Sequence, residues 1–527
     1  MIKYFSFSSI LLIFFILFYS DSISKSFEEE KNLFITHGVA SGDVTKNSSI
    51  IWSKSNTDSI MNVKYDYNKD FSSNPQIMSI PVNESTFFTG HIKLTNLINS
   101  TTYYYQIWFT ESNNSSSSSN SVIGKFKTAP DDGQMDNIHF TMAGDLGGST
   151  LCRQEGIGYP IFSIMNNISP DFFIFNGDQI YADNKCPLIP KFPFPVKNYP
   201  FWKNIKGEFK SIMDKEINWE NITQLNEAYL EHWKYNRADP YLQTFLSNTS
   251  FYSQSDDHEV INNYGGKWEN YSISDYQYDR NRNNYPNLVN VGIDLFFKFS
   301  PIERNQIEKD QIYRSFNWGK NLDLYLLDAH SYRSLNNLPD TRENNKTLYG
   351  KEQIDWLKNK LLSSSSTWKI VSTPVPITVP NCFYGPTKLG GCDNWATNNK
   401  TNETFVMERN EFLKFLDKYN IKNVIFIAGD VHFAGTVNVT QDFDEDGDTF
   451  TFYEIINGPL NANTYNITIP VDTTINAKYL YNESTLFNFG NFKIEQDKSD
   501  TKFHFLYTAI DANGRVRPNS DLNLIPQ

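Results

Sequence analysis

Four short stretches bring acids or histidines to the end of an apolar run. HFTMAG leads into Asp145, FFIFNG into Asp178, FYSQS into Asp256, Asp257 and His258, and NVIFIAG into Asp430, with His432 two residues further on. Three of the four share one form: an apolar strand, then glycine, then aspartate. Glycine lets the backbone turn tightly at a sheet edge, so that the following acid can face a common point. One such acid would be read as a turn former. Three in the same arrangement, far apart in the chain, point to convergence. Carboxylates and imidazoles gathered in this way require compensating charge, and divalent or trivalent cations supply it. Asp256 competes with Asp257 as the ligand in its stretch, and His258 could instead hold that loop. In an extended segment Asp430 and His432 would face the same side.

The elements that must position these residues alternate. NIHFTMAGDLGG, DFFIFNGDQIY, LDLYLLDAHSY, WKIVSTPVP and NVIFIAGDVH read as apolar strands with polar carboxyl ends. Between them, EGIGYPIFSIMNN, NEAYLEHWKY, YGKEQIDWLKNKLL and ERNEFLKFLDKYN read as helices, the last with Phe412, Leu413, Leu416 and Tyr419 near helical spacing. This alternation predicts a layered α/β unit over 136–527 with its chemistry at strand ends. A Pro- and aromatic-rich piece at about 185–250 reads as an insertion or lid. Residues 31–128 hold short alternating or aromatic-rich runs separated by polar turns, the pattern of an all-β module. NNSSSSSN at 113–120 is expected to be a flexible hairpin loop, and APDDGQ at 129–134 a linker.

The chain of 527 residues is long enough for two to four domains, and its 39% hydrophobic and 20% charged residues are those of a globular protein. A formal charge of −13 disfavours a nucleic-acid-wrapping surface, so no stable nucleic-acid partner is expected. A small phosphorylated substrate remains compatible, because bound cations reverse the field locally. MIKYFSFSSILLIFFILFYS places one Lys before an apolar run and predicts a secretory signal peptide over 1–24, with a retained anchor as the rival. With no second long apolar segment, no integral membrane domain is expected after cleavage. The protein is placed outside the cytosol: secreted, lysosomal or associated with the cell surface. Abundant N-x-[ST] sequons agree, among them Asn47, Asn83, Asn221, Asn345, Asn402 and Asn482. Four cysteines allow three complete pairings. Cys382 with Cys392 would close a Gly-rich loop, leaving Cys152 with Cys186.

Taken in order, the motifs resemble the PhoD-like alkaline phosphatase and phosphodiesterase family, within the calcineurin-like metallophosphatase superfamily. HGVASGD at 37–43, followed by IIWSK, resembles the opening of that family's amino-terminal β-sandwich. GDQIYAD at 177–183, DDHEVINNY at 256–264, LLDAHSYRS at 326–334 and the final GDVHFAG resemble its later motifs. The resemblance spans roughly 31–460. It implies a calcineurin-like αββα core preceded by a fibronectin-type-III-like β-sandwich, with two or more metal ions. Asp145, Asp178, Tyr181, Asp257, Asp430 and His432 become the metal ligands, with Asp178 as the bridge. Tyr181 as a phenolate suits ferric iron, paired with calcium or another divalent ion. The chain also departs from the family: GDLG stands where relatives carry a cysteine-containing turn, STPVP offers no histidine, and His330 replaces an arginine.

Such a site implies a secreted, metal-dependent hydrolase of phosphate esters, acting through metal-activated hydroxide. Phosphomonoesters are the expected substrates and phosphodiesters the alternative. A non-catalytic glycosylated binding or adhesion protein is the rival of a different class. His258 could give a proton to the leaving oxygen or bind a phosphoryl oxygen as imidazolium. Arg333 offers a fork for phosphate or an ion pair with a nearby acid. Asn176 and Asn263 are weaker polar candidates. Separately, DFDEDGD at 442–448 resembles the start of an EF-hand calcium loop, although Tyr453 stands where the twelfth-position acid belongs. A solvated acidic hairpin is the other reading.

Overall fold

The computed structural model describes residues 32–148, 150–190, 203–265, 285–383, 391–464 and 469–527. The expected signal peptide and part of the 185–250 segment lie outside them. Among the described residues, twenty-three strands form four sheets. The nine-stranded sheet runs β23 (Leu522–Leu524), β22 (Phe503–Asp511), β21 (Asn488–Gln496), β9 (Ile138–Ala143), β10 (Phe172–Asn176), β11 (Ser250–Gln254), β1 (Ile35–Gly42), β2 (Ser49–Ser55) and β5 (Thr89–Leu94). A seven-stranded sheet runs β12 (Arg314–Trp318), β13 (Leu322–Leu326), β14 (Trp368–Ser372), β17 (Val424–Ala428), β19 (Phe450–Ile456), β18 (Ala434–Gln441) and β20 (Ala477–Glu483). A third sheet holds β4 (Gln76–Val82), β3 (Ser59–Asp66), β6 (Thr102–Glu111) and β7 (Asn114–Ser118), with β8 (Val122–Lys127) also on β6. A two-stranded ribbon joins β15 (Cys382–Phe383) to β16 (Gly391–Cys392).

The two large sheets stack face to face because their strands are apolar on both sides. Ile138, Phe140 and Met142 of β9 point into a core shared with Leu324, Ile370, Ile425 and Ile427 of the other sheet. Phe140 lies stacked between Phe172 and Phe492, with ring centroids 4.9 and 4.8 Å away. Its truncation to alanine would cost about 3–5 kcal/mol. Ala143, Phe173 and Phe175 face outward onto α1 (Ile161–Ile168), α2 (Ile222–Arg237), α3 (Pro240–Asn248) and α4 (Tyr285–Phe299). On the far side, α5 (Lys351–Ser363) and α6 (Val406–Lys418) cover the second sheet. The Phe412, Leu413 and Leu416 of α6 are buried there at the expected helical spacing. The result is helix, sheet, sheet, helix: a calcineurin-like mixed α/β core.

The four helices expected from sequence are present as α1, α2, α5 and α6. The chain adds α3 and α4; α3 is capped by Asp239, whose carboxylate accepts from the Tyr241 and Leu242 amides, with Pro240 in the first turn. One expectation fails. Asn114–Ser118 is strand β7, paired with β6, rather than a flexible loop. The polar tract continues the hairpin because the β6 backbone still offers it a ladder. Both disulfides, Cys152–Cys186 and Cys382–Cys392, are formed. No helix among the described residues is long and apolar enough to cross a membrane.

Candidate metal centre

Strands β9, β10 and β11 run parallel, as do β14 and β17 in the facing sheet, so their carboxyl ends open onto one shared rim. The turn that aims each acid is made at the acid, joined at Asp178 by Gly177 with a φ of 81°. Asp145, Asp178 and Asp430 have φ of 64°, 48° and 67°, the left-handed region that costs a non-glycine residue about 1–2 kcal/mol. The preceding glycines serve close approach: a Cβ on Gly144 would stand 2.6 Å from the Asn176 carbonyl oxygen, and one on Gly177 would stand 2.4 Å from Asp256 Cβ. Strained acids clustered at one rim motivate a functional reading.

Asp145, Asp178 and His432 bring ligand atoms within 4.8 Å of one another, and so do Asp178, Asp257 and His258. Asp178 belongs to both groups. His432 Nε2 lies 3.4 Å from Asp145 Oδ1 and 2.9 Å from the Tyr181 hydroxyl, while Nδ1 meets the Asn463 carbonyl. That carbonyl can only accept, so it places the proton on Nδ1 and gives Nε2 the lone pair, which accepts from the Tyr181 hydroxyl and has the character of a metal ligand. Asp430 belongs to neither group; its Oδ2 accepts from Asn381 Nδ2 at 3.0 Å, and it lies within electrostatic reach of Asp256, Asp393, Asp257 and Asp145. His432 also has a positive φ, 55°, so the Asp430–His432 segment turns rather than extends.

The electrostatics are those of a cation site. Burial, then the charges of Asp257, Asp256, Glu259 and Asp145, hold Asp178 well above the usual carboxylate range. Burial, then Asp256, Asp393, Asp257 and Asp145, does the same to Asp430. Tyr181 is pushed up by burial and by Asp178 and Asp145. Asp145 Oδ2 is buried with no hydrogen-bond partner. Buried acids that repel one another, an orphaned carboxylate oxygen and a tautomer-fixed imidazole are a donor set that fits metal ions.

Beside them, His258 Nδ1 is 2.7 Å from Asp183 Oδ1, its backbone amide donates to Asp178 Oδ1 at 3.1 Å, and its ring lies 4.0 Å from that of Tyr181. Burial alone would lower its pKa, but Asp183 and Asp257 outweigh burial and push it up to about 10. Asp183 was not singled out as a site residue from sequence, although it closes the GDQIYAD motif. Glu259 was missed as well; its carboxylate accepts from the Asp178, Gln179 and Asp256 amides and so ties two rim loops together. Arg333 is fully buried, and its fork is engaged by Asp393 at 2.8 Å and by Asn336, so the ion-pair alternative describes its place. Asn176 Nδ2 donates to Gln254 on the neighbouring strand and across the sheets to Ser372 and Thr373, and the Asn263 backbone amide donates to an Asp257 carboxylate oxygen.

The profile of the PhoD-like phosphatase family matches residues 148–505, and that of the family's N-terminal domain matches residues 22–130. Asp145 falls between the two matched spans. Alkaline phosphatase D of Bacillus subtilis (strain 168) is 24% identical over 434 residues, covering 78% of this chain and 66% of that one, just under two thirds of its length. A solved structure of PhoD superposes with a TM-score of 0.69 at 19% identity, covering 93% of this chain and 88% of that one. The purple acid phosphatase PPD1 from yellow lupin seeds superposes with 0.57 at 12% identity, over 93% and 73% of the two chains. These last two likenesses concern the fold. Family profiles covering most of the length, over a core whose strand ends hold this acid and histidine cluster, place the chain in the PhoD-like phosphatase family.

Proposed function

We propose that the protein is a secreted, metal-dependent phosphoric ester hydrolase that acts on phosphomonoesters. The observation that carries this reading is that Asp178 lies within ligand reach of Asp145 and His432 on one side and of Asp257 on the other, the placement expected of a residue shared by two cations. Asp145, Tyr181 and His432 would hold one ion with Asp178, and Asp257 and Asp430 would serve the other. Tyr181 suits ferric iron as the first, with calcium or another divalent ion as the second. Bound there, such ions supply positive charge to phosphoryl oxygens and acidify water.

The chain's own groups do the remaining work. His258, charged at neutral pH and held by Asp183, is placed to give its Nε2 proton to a leaving alkoxide; general acids of this kind contribute about 10²–10⁴-fold. Asn263 orients Asp257, and Asn463 orients His432. Exposed sequon asparagines at 47, 83, 221, 345, 402 and 482 support a glycosylated protein outside the cytosol. Two facing layers of strands around Val39, Ile51, Met61, Val63, Tyr105 and Ile107 support a fibronectin-type-III-like sandwich over 31–128, with the metallophosphatase unit over 136–527 and an insertion at about 185–250. The test is elemental analysis of the purified protein together with turnover of p-nitrophenyl phosphate and bis-p-nitrophenyl phosphate. Faster monoester turnover with about two metals per chain is expected. Faster diester turnover would give the phosphodiesterase, and a fully metallated protein inert on both would end the proposal.

A further inference from the structure

The ribbon β15–β16 pairs Cys382 directly opposite Cys392 and is closed by their disulfide. The residue on each outer side of that bridge reaches toward the rim of acids. Before Cys382, Asn381 donates its side-chain amide to Asp430 Oδ2 at 3.0 Å. After Cys392, Asp393 pairs with Arg333 Nη2 at 2.8 Å and accepts from Asn336 Nδ2 at 2.7 Å. Arg333 Nη1 stands 3.1 Å from His330 Nδ1, and His330 Nε2 stands 2.8 Å from Asp256 Oδ1, next to Asp257. The two sides are themselves joined, because the Asp393 amide donates to the Asn381 carbonyl at 2.8 Å. Residues 381, 382, 392 and 393 therefore form one braced unit whose two ends touch the rim at separate points.

We propose that the Cys382–Cys392 bridge is a positioning strap for the metal centre, with Asn381 and Asp393 as its positioning residues. Asn381 sets the orientation of Asp430 through the hydrogen bond to its Oδ2. Asp393 acts through Arg333 and His330 to hold Asp256 away from competing with its neighbour Asp257. This assigns the buried Arg333 a supporting part in the site without contact to substrate. The inference rests on the reading of Asp430 as a metal ligand.

The test uses the intact, metal-loaded chain and follows the metal released by a chelator, read by elemental analysis. Asn381→Ala should release metal about 10–100-fold more readily, with a matching fall in kcat and a change in KM of less than about twofold. Stripped of metal, it should melt with the wild type, because Asn381 is partly exposed and lies outside the apolar cores. Cys382→Ser/Cys392→Ser should release metal as Asn381→Ala does. Asp430→Ala is the reference arm. If Asp430→Ala loses metal while Asn381→Ala and the double serine variant retain it as the wild type does, the strap is overturned and the ligand reading stands. If Asp430→Ala retains metal normally, the ligand reading fails and takes the strap with it. If stripped Asn381→Ala melts as far below wild type as its loaded form does, its part is merely structural and the proposal is overturned.

Discussion

Two parts of this molecule gather acids to the same closeness and use them differently. At the rim, Asp145, Asp178 and His432 bring ligand atoms within 4.8 Å; where α6 meets the β18–β19 hairpin, Asp417 of the helix and Asp442 and Asp444 of the hairpin do so too. The hairpin backbone satisfies all three. Asp442 accepts from the Glu445 and Gly447 amides, Asp444 from the Asp446 amide, and Asp417 from the Phe443 and Asp444 amides. It is also partly or fully open to water. The rim acids are buried, Asp145 Oδ2 has no partner, and burial, reinforced by the neighbouring acids, holds Asp178 well above the usual carboxylate range. Proximity of carboxylates is therefore a weak sign of a cation. Proximity with burial and unfilled oxygens is a strong one, because those oxygens have given up water without gaining a donor.

That contrast can be broken at several points. The largest effect is expected from Asp178→Asn, which should remove more than about 100-fold of turnover and lower metal content, since it acts on both ligand groups at once. A purified variant with normal metal and rate would refute the bridge. His258→Ala should keep its metals and lose about 10²–10⁴-fold in turnover; an unchanged rate would exclude it as the proton donor. Asp183→Asn should cost roughly tenfold and move the alkaline fall in activity to lower pH, because Asp183 is the first of the charges that raise His258. An unmoved pH profile would uncouple the pair.

A gentler comparison is thermal. Glu259 is raised from 4.5 to about 7 by burial, and Asp178 and Asp256 are also raised. A carboxyl that stays protonated in the fold while the unfolded chain ionises stabilises the fold at low pH. For Glu259 that contribution is complete below about 4.5 and gone as pH rises through about 7. Chelator-treated protein should therefore lose Tm across this window, whereas metal-loaded protein should not; parallel curves would contradict the cation site. The smallest effect is expected from Asp442→Asn, at about 1 kcal/mol of stability with metal content and turnover unchanged. Calcium that raises the wild-type Tm but not that of this variant would make the hairpin a site in its own right.

Much of the rim could be read from the chain because its signal is local. Apolar strand, glycine and acid stand together at Asp145 and Asp178, and the alternation of strands and helices gives the layers. What escaped depends on distant partners. Asp183 orients His258 across 75 positions, and Asn381 reaches Asp430 across 49. Neither spacing has a sequence signature. For Arg333 the phosphate fork and the ion pair stay undivided in sequence, because its stretch carries no sign of Asp393, its partner in the fold. The Asp430–His432 segment departs from the extended form that alternation assumes, because both residues take left-handed φ values.

Strand β1 lies beside β11, with Gly42 opposite Phe251, and the Tyr252 hydroxyl donates to the Val44 carbonyl. The early strands are thus the flank of the catalytic sheet, and the chain cannot be trimmed at 129–134 as if a tethered lobe were being cut away. A fragment starting near 136 would take from β11, which leads into the DDHE loop, its pairing at Phe251 and the Val44 carbonyl that receives the Tyr252 hydroxyl. Such a fragment should come out of cells as inclusion bodies, and co-expression of the missing leading piece should restore soluble material.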